Sequence, residues 1–311
     1  MFNLVEVENL TKSYGDKEAL RGLSFIIEEG NIVVLLGPNG AGKTTCLRIL
    51  ATTLLPTDGN VHVLGYDIVS EAAHIRKQIA VVPQEALTDP NLTAWESVYG
   101  YLLARGVTRR AAAESTEKHL RQLGLWDLRN RITATYSGGM KRRTLIAMAL
   151  AANAKLIFLD EPTTGLDPIA KREVWAILHQ LRGRATLILS THLMDEVEAL
   201  ADQVIIISEG QVLAQGTVSE LRFRAPGDEK VLLPKTIPIP ELSCYGYIQE
   251  DGGRWALFPI NKAATHEVMD IARTHGASFS IQTATFEDAY LMILGQFAEA
   301  KQTQKCHGVS A

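Results

Sequence analysis

The chain has 311 residues, of which 46% are hydrophobic and 21% charged. That apolar content builds a large core and excludes a disordered tail protein, and at about 150 residues per domain the length suits one large or two smaller domains. With 31 Lys and Arg against 35 Asp and Glu, the net charge is −4 and no global basic excess asks for nucleic acid.

The amino-terminal residues lack the basic and apolar regions of a signal peptide. No stretch reaches the ~18 apolar residues of a spanning helix, since the longest candidate, Leu145 to Leu159, is broken by Asn153 and Lys155. A soluble chain that borrows a partner for any membrane crossing is expected. Cys46, Cys244 and Cys306 lie far apart, which fits a reducing cytosol better than a disulfide framework.

Residues 3–30 alternate as strands do, in Leu4–Val7 and again in Leu23–Glu28. Asn31–Leu36 is a short apolar run ending in a glycine-rich turn, and a helical pattern follows from Gly42 to about Leu54. This strand–turn–helix order begins an α/β nucleotide-binding unit. Residues 93–131 read as mostly helical, and Arg105, Arg109, Arg110, Lys118, Arg121, Arg129 and Arg131 among Glu114, Glu117 and Asp127 read as a solvated face. A helix over Lys141–Ala152, a buried strand over Lys155–Leu159 and a helix over Pro168–Leu181 come next. Thr186–Ser190 and Gln203–Ser208 are strands, and Glu209–Gly210 turns the chain into Gln211–Ala214.

Composition shifts near residue 224, where Pro226, Gly227, Pro234, Pro238 and Pro240 suggest a linker or an edge-rich start to a second unit. Beyond it are expected a strand at Trp255–Phe258, a helix at about Ala263–Thr274, a strand at Ser278–Gln282 and a last helix from Thr285. Thr285 and Asp288 have capping-box spacing. Phe286, Tyr290, Ile293 and Phe297 form an apolar stripe that reads as core or dimer packing, and the tail after Lys301 reads as loose.

Gly37–Thr44 matches the GxxxxGK[ST] phosphate loop between a predicted strand and a predicted helix. Its glycines let backbone N–H groups converge on an anion, and the helix dipole adds to them. Lys43 is expected to reach the β- and γ-phosphates, and the Thr44 hydroxyl to ligate Mg²⁺. The strand Leu156–Leu159 ends in Asp160 and Glu161. The first carboxylate is placed to hold Mg²⁺ across from the phosphate loop, and the second to orient and deprotonate the attacking water. Ser137, Gly138 and Gly139, after Tyr136 and ahead of a helix, make a second anion-binding N-terminus. One triphosphate does not need two such cradles, so the second is expected to serve another subunit's ATP.

This ordered set resembles the ATP-binding subunit of an ATP-binding cassette (ABC) transporter over residues 1–220. Gly37–Thr44, Gln84 after Val81–Pro83, Tyr136–Met140, Asp160–Glu161, Gly165–Pro168 and Ser190–His192 occur in the family's order. The resemblance implies an α/β fold: a P-loop nucleotide-binding cassette over 1–223 with a helical subdomain at about 88–150, a small C-terminal α+β domain over 224–300, and a flexible tail, 301–311. It implies that Tyr14 stacks on adenine, and that Gly37, Pro38, Asn39, Gly40, Ala41, Gly42, Lys43, Thr44 and Thr45 hold the phosphates. Gln84 senses Mg²⁺ and water and contacts the membrane subunit. Thr44, Gln84 and Asp160 form the metal set. Glu161, His192, Gln84 and Lys43 form the catalytic set. Ser137, Gly138 and Gly139 bind the γ-phosphate held by the opposite subunit, and Asp167 ties the half-sites together. The implied ligands are ATP and Mg²⁺. The implied partners are a second ATP-binding subunit and a separate permease at the cytoplasmic face of the membrane, with no nucleic acid.

Met140 stands where the family commonly has glutamine and cannot donate that side chain's hydrogen bond. This variant, followed by Lys141, Arg142 and Arg143, resembles the drug- and antibiotic-exporter branch of the daunorubicin-resistance type, as does the segment Thr285–Gly295. The alternative, an ABC ATPase of translation or DNA maintenance, resembles tandem cassettes or cassettes split by coiled coils. This sequence has one cassette, no heptad run and no basic footprint.

Overall fold

The computed structural model describes residues 3–84, 87–225 and 227–295. The chain divides between Gln215 and Gly216 into two units.

In the first unit, β1 (Asn3–Tyr14) and β2 (Lys17–Glu28) pair antiparallel. Their buried residues alternate, as in Val5 and Val7 or Leu23, Phe25 and Ile27, which is the pattern of strands covered on one face. β3 (Ile32–Leu36) is apolar and buried at every position. α1 (Lys43–Leu50) follows, then β4 (Asp58–Val63), β5 (Tyr66–Asp67), α2 (Ala72–Gln78) and β6 (Ile79–Val82). β4 pairs with β1 and β5 with β4, giving a four-stranded antiparallel sheet of order β2-β1-β4-β5.

α3 (Ala94–Ala104), α4 (Arg109–Gln122) and α5 (Gly138–Ala151) pack on one another. Thr93, Thr108 and Ser137 cap them, each accepting a backbone N–H that the helix itself leaves unpaired. The charges of α4 pair along its exposed side, Arg110 with Glu114 and Glu117 with Arg121, as a solvated face does. Next in the chain are β7 (Leu156–Asp160), α6 (Pro168–His179), β8 (Thr186–Thr191), α7 (Met194–Leu200), β9 (Gln203–Ser208) and β10 (Gln211–Gly216).

These strands form a six-stranded sheet of order β10-β9-β3-β8-β7-β6, parallel from β9 through β6. Val33, Leu35, Phe158, Ile188 and Ile205 join α1 and the antiparallel sheet in one core. Their neighbours Val34, Ile157, Leu187 and Val204 are also buried, so both faces of the sheet are covered. The register aligns the strand ends. Val82 lies opposite Leu159, Asp160 opposite Ser190, and Leu36 opposite Thr191.

The second unit holds α8 (Val218–Arg222), β11 (Glu229–Pro234), α9 (Ile239–Leu242), β12 (Gly246–Asp251), β13 (Arg254–Pro259), α10 (Lys262–Thr274), β14 (Ser280–Thr283) and α11 (Phe286–Ile293). Its antiparallel sheet has the order β12-β13-β11-β14. The proline-bearing stretch expected as a linker or an edge therefore contains an inner strand. Val231, Leu232 and Leu233 are buried, and Pro234, which lacks an N–H, falls at the strand's last residue. Val231, Leu233 and Leu257 pack with Val268 and Ala272 of α10, and Leu232, Ala256 and Phe258 pack with Ala284 and Leu291. Phe286 and Tyr290 of the expected stripe are buried and Ile293 is half-buried. Phe297, the tail after Lys301 and Cys306 lie outside the described residues.

Lys230 of β11 is buried between Asp288 and Asp251, 3.0 Å from each. Asp288 also completes the α11 capping box by accepting from the Thr285 N–H at 2.7 Å and from its hydroxyl at 2.8 Å. Burial lowers the Lys230 pKa, but the hydrogen bonds and charges of Asp288 and Asp251 outweigh it and hold the value above the ordinary one. A lysine whose folded pKa is raised stabilises fully below its unfolded value, and that stability is lost as pH rises through the folded value. We predict that Asp288→Ala costs about 3 kcal/mol, because it removes the buried one of the two carboxylates on the Lys230 ammonium together with the α11 capping box. Urea denaturation of the full chain, followed through tryptophan fluorescence, measures it. The cost should persist at neutral pH and shrink only beyond the ordinary lysine range.

Candidate nucleotide site

Between β3 and α1 the chain turns through Gly37–Gly42. A Cβ on Gly37 would lie 2.0 Å from the carbonyl oxygen of Ile207 on β9. Gly42, the N-cap of α1, has φ 105°, and a Cβ there would lie 2.7 Å from the carbonyl oxygen of Ala19. Glycine is required at both places by close backbone approach, and at Gly42 also by the left-handed conformation. The Lys43 ammonium donates to the carbonyls of Gly37 (2.7 Å) and Pro38 (2.9 Å), and the Ala41 N–H donates to Pro38 at 3.2 Å. The first N–H groups of α1 point out of the helix start, where the dipole is positive, and suit a phosphate. Burial pushes the Lys43 pKa down, opposed by the charges of Glu161 and Asp160.

Asp160 closes β7 at the level of that loop. Its Oδ1 accepts from the Thr44 hydroxyl at 3.2 Å and from the Ser190 hydroxyl. Glu161 is buried, with φ 49°, and its N–H donates to the carbonyl (3.1 Å) and hydroxyl (3.2 Å) oxygens of Ser190. Its carboxylate gathers three partners. Gln84 Nε2 donates to Oε2 at 3.2 Å, the Thr164 hydroxyl donates to Oε2 at 3.0 Å, and His192 Nδ1 lies 3.2 Å from Oε1. The hydroxyl of Thr44 and the carboxylate of Asp160 are hard oxygen donors of the kind Mg²⁺ takes. Among the described residues no cluster of three or more His, Cys, Asp or Glu side chains is placed to hold a metal.

Tyr14, the loop from Asn39 to Thr45, Gln84, Glu161 and His192 line one cleft, together with Lys17, Arg21 and Glu209. Tyr14 is 49% exposed, and the Lys12 ammonium lies 5.3 Å from its ring centroid. Gly37, Pro38 and Asp160 are not among the residues lining the cleft surface.

Four more of the expected residues, Ser137, Gly138, Gly139 and Asp167, do not line this cleft either, and among the described residues no hydrogen bond ties their side chains to it. Ser137 is exposed and its hydroxyl accepts from the Met140 N–H at 3.3 Å. Gly139 sits close to Leu166, where a Cβ would come within 3.2 Å of the leucine side chain. Asp167 is exposed and caps α6, accepting at 3.0 Å from the N–H groups of Ala170 and Ile169. The Ala170 bond above all holds its carboxyl below the usual range. The turn Ser137–Gly139, hereafter the signature turn, and Asp167 thus present polar groups on the surface of the first unit.

Sequence reasoning did not single out the hydroxyls of Ser190 and Thr164, which pin the carboxylate pair. Ser190 had a readable signal, a hydroxyl at the end of a buried strand just before the expected histidine. Thr164 had none, because its role depends on how the chain turns after Glu161.

The ABC transporter family matches residues 20–164. The daunorubicin/doxorubicin resistance ATP-binding protein DrrA of Streptomyces peucetius is 34% identical over 316 residues, covering 97% of this chain and 95% of that protein. The phospholipid-transporting ATPase ABCA3 of Rattus norvegicus is 37% identical over 217 residues, which are 68% of this chain and 13% of that protein. A solved ATP-binding cassette, dimeric and in a post-hydrolysis state with ADP and Pi, superposes with a TM-score of 0.64 at 28% identity, covering 68% of this chain and 98% of that one. The phosphate loop, the buried carboxylate pair at the strand ends and a relative matched along almost its whole length agree, and the chain belongs to the ABC transporter family as an ATP-hydrolysing cassette.

Proposed function

We propose that this chain is the motor of an exporter, and that two copies close head-to-tail around two ATP molecules. The observation that carries the reading is the division of the site. The phosphate loop, Gln84, Glu161 and His192 share one cleft, whereas Ser137–Gly139 and Asp167 lie outside it and are accessible. A second copy supplies the missing half when its signature turn meets the γ-phosphate. The dimeric state named for the solved cassette supports this arrangement.

Within each half-site, Lys43 and the N–H groups of the loop neutralise the β- and γ-phosphates. Tyr14 stacks on the base. Glu161 takes a proton from water as the water oxygen bonds to the γ-phosphorus, and the bond from that phosphorus to the β–γ bridging oxygen breaks. Gln84 and His192 orient Glu161 and the γ-phosphate. Mg²⁺ fits Thr44 and Asp160, with Gln84 beside them, and when bound supplies charge neutralisation on the phosphates.

Among the described residues no helix is long and apolar enough to cross a membrane. On this reading a separate permease makes the crossing, and this chain is held peripherally at its cytoplasmic face. ATP binding stabilises the closed pair and hydrolysis releases it, so closure is the stroke that moves the permease. The near full-length likeness to a drug-resistance ATP-binding protein supports export over a role in translation or DNA maintenance. Purification of the tagged chain from native membranes in mild detergent tests this. A multi-span protein in near-equal ratio is expected, and ribosomes or nucleic acid in its place would overturn the transport reading.

Two substitutions probe the chemistry. Glu161→Gln should lower turnover at least about 100-fold, keep nucleotide affinity and trap an ATP-bound dimer, seen by size-exclusion chromatography. Turnover near the wild-type rate would remove Glu161 as the base. Ser137→Arg should abolish turnover while leaving the binding of a fluorescent ATP analogue unchanged, because its target is on the other subunit. A variant that binds, dimerises and hydrolyses normally would sink the composite site.

A further inference from the structure

Arg142 belongs to the basic run that follows the signature turn, and it lies in α5, the helix that Ser137 caps. Its side chain is buried, 8% exposed. The guanidinium is spent on main-chain carbonyls from two other segments. Nη1 donates to Pro83 at 2.9 Å, Nε to Pro162 at 3.1 Å, and Nη2 to both Asp160 and Glu161, the latter at 3.0 Å. Pro83 directly precedes Gln84, and Asp160 to Pro162 carry the carboxylate pair.

Burying a guanidinium costs several kcal/mol, and an apolar side chain of similar size generally packs such a place as well or better. Here the planar fork holds four main-chain carbonyls, that of Asp160 at the end of β7 and three just past the ends of β6 and β7, in one geometry, which lysine's single ammonium does not reproduce. The path back to the signature turn is short and stiff. The Lys141 N–H donates to the Ser137 carbonyl at 3.0 Å, and the Thr144 hydroxyl to the Met140 carbonyl at 2.9 Å. A tilt of the first turn of α5 therefore displaces the backbone on both sides of the hydrogen bond from Gln84 to Glu161.

We propose that Arg142 is a positioning residue that ties the Ser137–Gly139 turn to Gln84 and Glu161 of the same chain. On the composite-site reading proposed above, a subunit whose signature turn engages its partner's ATP thereby aligns its own Glu161, so the two half-sites become competent together. The intrachain tie itself does not depend on that reading.

The test uses full-length Arg142→Ala and Arg142→Lys, with turnover expressed per bound fluorescent nucleotide so that unfolded chains do not count. Losing charge-assisted hydrogen bonds of this kind should lower kcat about 10- to 100-fold, with nucleotide affinity and KM within about threefold. Millimolar guanidinium should restore part of the Arg142→Ala rate and leave wild type unchanged. Arg142→Lys should fall between the two. A rate within twofold of wild type, or a loss that tracks nucleotide binding and ignores guanidinium, would overturn the proposal. If the alanine variant does not fold, the lysine variant decides alone, and turnover equal to wild type overturns it. Should Glu161→Gln fail to form an ATP-bound dimer while Arg142→Ala shows the kcat loss and the rescue, the composite site falls and the positioning role stands.

Discussion

The site depends on the register of a parallel sheet. Val82, Leu159, Ser190 and Leu36 belong to adjacent strands whose carboxyl ends finish at nearly one level. The functional groups follow within a residue or two of those ends: Gln84 after β6, Asp160 and Glu161 at the end of β7, His192 after β8, and Gly37 after β3. A parallel sheet with covered faces leaves its carboxyl edge as the natural place for a ligand. The register is enforced by burial on both faces. A slip of one residue on any strand would exchange its side chains between the two covered faces, mispacking both, and carry its functional group out of line.

Much of this was legible because phosphate binding is a local problem. The glycines of Gly37–Gly42, the lysine and the helix start belong to one short segment, and their spacing states the chemistry. The strand ending in Asp160 and Glu161 was legible once paired with that loop. The strands β4 and β5 and the short helix α2 went unread because they are half polar and carry weak periodicity. β11 was hidden by its prolines, which flank the strand and end it but spare the buried run Val231–Leu233. Arg142 stood in plain view as one of three basic residues. Whether such a side chain lies on a solvated face or inside the protein is decided by what α5 packs against, and no local pattern carries that.

Charge is the second constraint. Two adjacent carboxylates enter a buried site, and each unpaired oxygen there would cost about 1–3 kcal/mol or more. Asp160 is met by Ser190 and Thr44, and Glu161 by Gln84, Thr164 and His192. The donors come from separate segments: the start of α1, the end of β6, the turn after β7 and the end of β8. The satisfaction of the pair is thus also a report on whether those segments are in place, and moving any one of them removes a donor from a buried charge.

The backbone at Glu161 sharpens this dependence. A side chain of that size at φ 49° is held in a conformation that costs about 1–3 kcal/mol. Local sequence does not favour it, so tertiary bonds must impose it. The N–H is fixed by Ser190 from one side and the carbonyl by Arg142 from the other. Fixing the two peptide units that flank its Cα sets the direction in which the side chain leaves, and that direction decides whether the carboxylate faces the cleft. The turn after Glu161 is held in the same way, since the Thr163 hydroxyl donates at 2.8 Å to the buried Glu196. The segment that leads on to Gly165 and Asp167 is therefore anchored at its root while its far end is exposed. On the composite-site reading proposed above, that exposed end is what a second copy would meet, and its anchored root adjoins the constrained backbone of Glu161.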